Sequence, residues 1–269
     1  MLETSVHPTA VIAGTARLGT GVSVGPYAVV EDEAEIGEGC EIRAHAVVKK
    51  YTRLGPGNVV HEHAVLGGEP QDLAYREAPT RLEIGARNVI REGVTLHRAS
   101  QPDGETRIGS DCLIMAYAHV AHDCRLGDRV ILANNVALAG HVRVGDGAFL
   151  SGGVAVHQFT RVGRLAMVGG LTKLVQDALP FVLTDGDPGR ARGLNVVGLR
   201  RAGIDAAQVR ALRMAFRLLV RSSLPQGEAL ERLALQGEPL VAELIEFVRG
   251  SRRGFAHGAR RPREADPGA

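Results

Sequence analysis

Hydrophobic residues in this chain recur every six positions. From Val6 the phase runs through Ile12, Leu18, Val24, Val30, Ile36, Ile42, Val48, Leu54, Val60 and Leu66, all aliphatic. It falters, returns at Ile84, Ile90 and Leu96, and then runs from Ile108 through Ile114, Val120, Leu126, Leu132, Leu138, Val144, Leu150, Val156, Val162 and Val168 to Leu174. Neither the 3.6-residue period of a helix nor the two-residue period of an ordinary strand gives this spacing.

A second phase, four residues after each aliphatic, is small or β-branched, as at Ala10, Ala28, Ala46, Ala64, Ala118, Val136 and Val154. All three cysteines, Cys40, Cys112 and Cys124, fall on it, which reads as plain packing. Glycine often follows the aliphatic, as at Gly19, Gly37, Gly85 and Gly127. Three such hexapeptides make one triangular coil, and coils stacked at about 4.8 Å build a parallel β-helix whose aliphatics fill the prism.

The repeat predicts a β-helical domain over residues 1–190, with two interruptions read as projecting loops, Gly67 to Glu83 and His97 to Arg107. Beyond it the pattern turns helical: Asp205 with Gln208 reads as a capping box, and Val209, Leu212, Phe216 and Leu219 recur at helical spacing. Pro225 and Pro239 divide this segment, 191–250, into about three helices, the last being Leu240 to Arg249. From 251 to 269, Arg-, Gly- and Pro-rich sequence without apolar periodicity reads as a disordered tail.

Composition narrows the partners. Lys and Arg total 32 against 30 Asp and Glu, so no whole-chain field favours nucleic acid or a membrane surface. No apolar run is long enough to span a bilayer, and the N-terminus lacks the form of a signal peptide, so a cytoplasmic protein is expected.

The histidines supply candidate chemistry. None of those before residue 180 falls on an inward phase, and His119, His122, His141 and His157 cluster along the chain. A coil of 18 residues stacks His122, Gly140 and Gln158 in one column and Asp123, His141 and Phe159 in the next. A carboxylate beside an imidazole orients the ring and holds its tautomer, the arrangement of a general base. Gly140 above it would leave a backbone N–H open to an oxyanion. A third column, Ala116, Asn134, Gly152 and Gly170, lacks bulk and suggests a groove for an apolar chain.

Several segments together resemble the UDP-N-acetylglucosamine acyltransferases of lipid A biosynthesis: Gln71-Asp72-Leu73, Ile90-Arg91-Glu92 with His97-Arg98, Ala118 to Cys124, Ile131 to Asn135, Leu138 to Val142, Val156 to Phe159 and Gly193-Leu194-Asn195. The resemblance covers residues 6 to about 220. It implies a left-handed parallel β-helix followed by a small C-terminal helical domain, assembled as a homotrimer with sites between neighbouring prisms. It further implies transfer of a 3-hydroxyacyl chain from acyl carrier protein to the 3-hydroxyl of UDP-N-acetylglucosamine, with no cofactor or metal of the enzyme's own. By the same resemblance His122 is the general base, Asp123 orients it, and Gly140 N–H holds the oxyanion. Asp72 and His141 position the glucosamine ring, while Gln158, Asn195 and Arg201 handle the nucleotide and pantetheine ends. Gln71, His119 and His157 complete the substrate-binding set, Gly170 matches the position that measures acyl length, and the C-terminal helices help dock the carrier.

The sequence departs from that family at Ala74, where a lysine is expected, at Val197, where an acid is usual, and at Ala202, in place of an arginine. A 3-amino sugar nucleotide, giving an amide, is therefore an alternative acceptor. A trimeric zinc carbonic anhydrase on the same kind of prism is an alternative enzyme, invited by His119 and His122. A purely structural solenoid is the alternative without catalysis.

Overall fold

The computed structural model describes residues 3–258. Short strands stack into three flat faces, forming the parallel β-helix expected from the repeat, with the left hand that the resemblance implied. The first face holds eleven strands, starting at Ser5–Val6, Ser23–Val24 and Glu41–Ile42; the second holds nine, from Val11–Ile12; the third holds eight, from Arg17–Leu18. The aliphatics of the six-residue phase point inward and, with the small residues of the second phase, join one continuous buried core from Val22 to Ala178. Val6 in the lowest coil is exposed because nothing stacks beneath it, and Val11 because it points outward, with Ile12 packed against the core.

Register explains why the phase survives its interruptions. Partners in plain coils are 18 apart, as in Ile131 with Phe149, whereas Val60 pairs with Ile90 and Ile90 with Ile114, spacings of 30 and 24. The insertions thus add 12 and 6 residues, whole hexapeptides. Both projecting loops are shorter than the sequence suggests, because their flanks pair along the third face as the longer strands Arg81–Ile84 and Glu105–Ile108. Leu82 and Thr106 on those strands are fully buried.

After the strand Lys173–Leu174 the repeat ends, and an antiparallel pair, Val182–Asp185 with Arg190–Leu194, caps the prism. Four helices follow: α1 (Val196–Arg201), α2 (Ala206–Phe216), α3 (Gln226–Ala234) and α4 (Pro239–Arg249), with a π-helical stretch Arg217–Arg221 after α2. Asp205 caps α2, accepting from the N–H groups of Ala207 and Gln208, while the Gln208 side chain accepts from the Asp205 N–H. The helices bury a second core around Phe181, Leu212, Phe216 and Leu244.

The reading of everything past residue 250 as disordered is corrected for Ser251 to Gly258. Asp177 N–H donates to Gly254 O and Ala256 N–H donates to Asp177 O, while Phe255 is buried in the helical core. One buried aromatic anchors a segment whose composition is otherwise that of a tail. Residues 259–269 lie outside the described residues. Among the described residues no helix is long and apolar enough to cross a membrane.

Candidate active site

His122 and Asp123 occupy the turn that follows the second-face strand His119–Val120, at the edge shared with the third face. Asp123 has φ +59°, and the residues stacked above it, His141 and Phe159, have +62° and +63°. The left-handed turn projects these side chains outward, an uncommon conformation for residues with a Cβ. The two expected columns are both present. His141 N–H donates to His122 O at 3.0 Å and Phe159 N–H to Gly140 O at 3.1 Å.

Within this cluster His122 Nδ1 lies 2.7 Å from Asp123 Oδ2. The same oxygen accepts from Ser100 Oγ at 2.7 Å and Ser100 N–H at 3.2 Å. Burial pushes the Asp123 carboxyl up, but the hydrogen bonds from His122 and Ser100 outweigh it and hold the group below the usual value. An ionised carboxylate on Nδ1 leaves Nε2 as the free lone pair of a neutral ring. His141 packs edge-on to His122 at 5.3 Å and stacks on Phe159 at 4.5 Å, with its Nε2 3.7 Å from Asp123 Oδ2.

Gly140 meets the His122 ring directly. A Cβ added there would lie 2.6 Å from Cε1 and 2.7 Å from Nε2, so only glycine leaves the imidazole its place. Gly140 N–H donates no hydrogen bond among the described residues.

A groove of about 540 Å³ runs up the second face from this edge. Its polar wall comes from Gln71, His119, His122, His157, Gln158 and Lys173, and its floor from Ala137, Leu138, Ala155 and Leu174. His119 Nδ1 is 2.8 Å from Thr95 Oγ1, and His157 Nδ1 is 3.1 Å from Gln158 O. Burial, with the neighbouring His97 and His122, holds His119 below its ordinary value.

The remaining expected residues are not all gathered here. Asp72 sits beside Gln71 in the first loop, its Oδ1 accepting from Ala74 N–H. Gly170 follows the first-face strand Met167–Val168 and so lies on a different edge of the prism, in an open column with Gly152. Asn195 caps α1, its amide donating to Leu165 O and its oxygen accepting from Gly198 N–H, and Arg201 ends the same helix. Within one chain none of these four lines the groove beside His122.

Sequence reasoning missed two supports. Ser100 fixes Asp123, and Arg98, 1% exposed, clamps the first loop by donating to Gly67 O, Glu69 Oε1 and Tyr75 Oη at 3.0–3.2 Å. Both belong to the second insertion, where the repeat predicts no contact. Arg98 was visible only as part of a family segment.

His122, Asp123 and His141 are also close enough to share a cation, with ligand atoms within 4.8 Å of one another. However, Asp123 Oδ2 already accepts from the ring and from Ser100 twice, the complement of a carboxylate that orients an imidazole. Thiol chemistry is closed: burial pushes Cys124 up to about 12 and Cys112 up to about 11.

Comparison with known proteins points one way. A family profile described as UDP-N-acetylglucosamine O-acyltransferase, domain 2, matches residues 177–256, and the bacterial transferase hexapeptide profile matches 15–50 and 105–140. The acyl-[acyl-carrier-protein]–UDP-N-acetylglucosamine O-acyltransferase of Gloeothece citriformis is 45% identical over 188 residues, 70% of this chain and 68% of that relative. The Burkholderia mallei enzyme of the same name is 45% identical over 197 residues, 71% of this chain and 75% of its own. Among solved structures, the UDP-N-acetylglucosamine acyltransferase of Bacteroides fragilis superposes with a TM-score of 0.92 at 32% identity, covering 94% of this chain and all of its own. The Moraxella catarrhalis UDP-N-acetylglucosamine O-acyltransferase gives 0.91 at 40% identity, covering 94% and 99%.

Proposed function

The chain belongs to the UDP-N-acetylglucosamine O-acyltransferase family, and from that membership we propose that it moves a 3-hydroxyacyl chain from acyl carrier protein to the 3-hydroxyl of UDP-N-acetylglucosamine with His122 as general base. This is an enzyme of lipid A biosynthesis. Family membership displaces both the zinc anhydrase and the structural solenoid.

The observation that carries the mechanism is the His122–Asp123 pair lying against Gly140. Nε2 of His122 takes the proton of the sugar hydroxyl as its oxygen attacks the thioester carbonyl. Asp123 steadies the imidazolium, and the unengaged Gly140 N–H receives the tetrahedral oxyanion. Collapse of that intermediate breaks the carbon–sulfur bond, and the imidazolium returns its proton to the leaving thiolate. Gln71, Asp72, His119, His141, His157 and Gln158 hold the sugar and its nucleotide around the groove. No step calls on a cofactor beyond the carrier's own phosphopantetheine.

Gly170, Asn195 and Arg201 enter the reading through a homotrimer. Outward residues of the first face are apolar from Val59 through Val89, Leu113, Ile131 and Phe149 to Met167, and those of the second face are Val29, Val47 and Val65 lower down. Two adjacent apolar faces suit a closed ring of three, in which a neighbour brings the Gly152–Gly170 column, Asn195 and Arg201 to the His122 groove. The open column at Gly170 would then admit a long acyl chain. Substrates of this kind support a cytoplasmic reaction.

Mass spectrometry of the product formed from UDP-N-acetylglucosamine and a panel of 3-hydroxyacyl carrier proteins tests the reading. An O-acylated sugar nucleotide is expected. Product only with a 3-amino analogue would move the acceptor to that sugar, an alternative kept open by Ala74.

A further inference from the structure

The outward column of the second face carries no formally charged side chain until its last residue. From bottom to top it reads Val11, Val29, Val47, Val65, Thr95, His119, Ala137, Ala155 and Lys173, each paired in register with the next. Lys173 opens the strand Lys173–Leu174, the last of that face, with Leu174 buried and the lysine exposed. Its backbone is held on both sides, the N–H donating to Gly186 O at 3.2 Å and the carbonyl accepting from Gly189 N–H at 2.9 Å. The capping hairpin thus fixes where this side chain starts.

The groove beside His122 reaches this residue. Among the described residues no carboxylate lines the groove, and Lys173 is its only Lys or Arg. Nor does a carboxylate among them pair with the Lys173 ammonium, whereas Lys49 lies 3.1 Å from Glu31. Ala137 and Ala155 keep the ground between His119 and Lys173 clear. Three coil steps of about 4.8 Å put the lysine about 14 Å above the level of the base. One cation facing a groove otherwise lined by imidazoles, amides and apolar atoms gives that end an affinity for anions.

We propose that Lys173 anchors a phosphate of the bound substrates at the far end of the groove, an inference that rests on the function proposed above. Both substrates of that reaction carry the group. The diphosphate of the nucleotide sugar stands one sugar ring away from the hydroxyl that meets His122, and the phosphate of the donor stands one pantetheine arm away from the thioester. Either molecule, with its reacting end at the imidazole and its body along the alanine floor, runs toward the ammonium. Lysine suits the task as a point charge on a flexible stem, which pairs with phosphate without a fixed fork. The contact lies away from the bonds that change, so it is made equally in the ground and transition states and sets KM rather than kcat.

The test titrates the full chain, by calorimetry, with UDP-N-acetylglucosamine alone and with a 3-hydroxyacyl phosphopantetheine alone. The proteins are wild type, Lys173→Met and Lys173→Arg. The side chain is exposed, so all three should melt alike and report an intact fold. In Lys173→Met the dissociation constant of at least one of the two ligands should rise by about tenfold, and Lys173→Arg, which keeps the charge, should recover most of it. The ligand that weakens identifies the phosphate. KM of the same substrate should rise in step while kcat changes by less than about twofold. Unchanged binding of both ligands, a loss in kcat alone, or equal losses in the Met and Arg variants would overturn the anchor. Wild type that binds a phosphate ligand through Lys173 yet transfers no acyl group would keep the anchor and remove the functional reading instead.

Discussion

His122 Nδ1 and Asp123 Oδ2 lie 2.7 Å apart although the two residues are neighbours in sequence. Adjacent residues in a strand point to opposite faces, so a facing pair of this kind needs a turn. The left-handed conformation of Asp123, φ +59°, supplies it, and Ser100 fixes the carboxylate from the other side. The facing of the pair comes from one turn of the backbone and takes no side chain from the prism core, which makes its chemistry separable from the fold.

Replacing His122 by Ala should therefore cut kcat by about 10² to 10⁴. Because the side chain holds up no core, stability should stay within about 0.5 kcal/mol of wild type. Asp123→Asn should keep the ring near its place and still lose much of the rate, since an amide cannot stabilise the imidazolium. Turnover and thermal melting of both variants check this. Undiminished turnover in His122→Ala would reject it as the base.

Gly140 offers a sharper probe, because its environment forbids a single methyl group. Its Cβ would stand 2.6 Å from the His122 ring, whereas a Cβ on Gly14 meets nothing within 4 Å. Gly140→Ala should fold and lose about a hundredfold in kcat by displacing the ring, and Gly14→Ala should match wild type. Equal activity in the two variants would mean that the imidazole position does not limit catalysis.

This column was legible in the sequence because no insertion separates Ile108 from Leu174, so a spacing of 18 places His122, Gly140 and Gln158 at one edge. The aliphatic core was legible for the same reason. Ser100 and Arg98 were not, since they stand in the insertion between Thr95–His97 and Glu105–Ile108, where periodicity assigns no neighbours. Phe255 was hidden differently: a lone aromatic among arginines and glycines gives no pattern, although it fills a gap among the helices. Separation of Gly170 and Asn195 from His122 follows from edge geometry, which a one-dimensional column does not carry.

Arg98 leads to a prediction about the acceptor. Its guanidinium joins Gly67 O, Glu69 Oε1 and Tyr75 Oη, and so braces the loop that presents Gln71 and Asp72. Arg98→Met removes three hydrogen bonds from a buried position and should cost about 1–3 kcal/mol. Its KM for the nucleotide sugar should rise more than its KM for the donor, and limited proteolysis should cut between Gly68 and Thr80. The lighter Glu69→Gln should do the same to a smaller degree. A variant with wild-type KM values would show that the loop holds its shape without the clamp.

Stability should also report the two half-buried imidazoles below the groove. Burial holds His97 below its ordinary 6.5, against the pull of the Glu69 carbonyl, and burial likewise lowers His119. Between each depressed value and 6.5 the unfolded chain binds more protons than the folded one, so stability rises with pH there. It is greatest above that window and falls as pH drops through it, the loss being complete once pH passes below the folded values. The Asp123 carboxyl acts at lower pH: held below 3.8, it contributes above that value and is lost only as pH falls further. Melting temperature should accordingly decrease as pH falls through and below the ordinary 6.5, and His97→Gln should flatten part of that slope. A slope unaltered by His97→Gln would mean that protonation of this ring is not what weakens the fold.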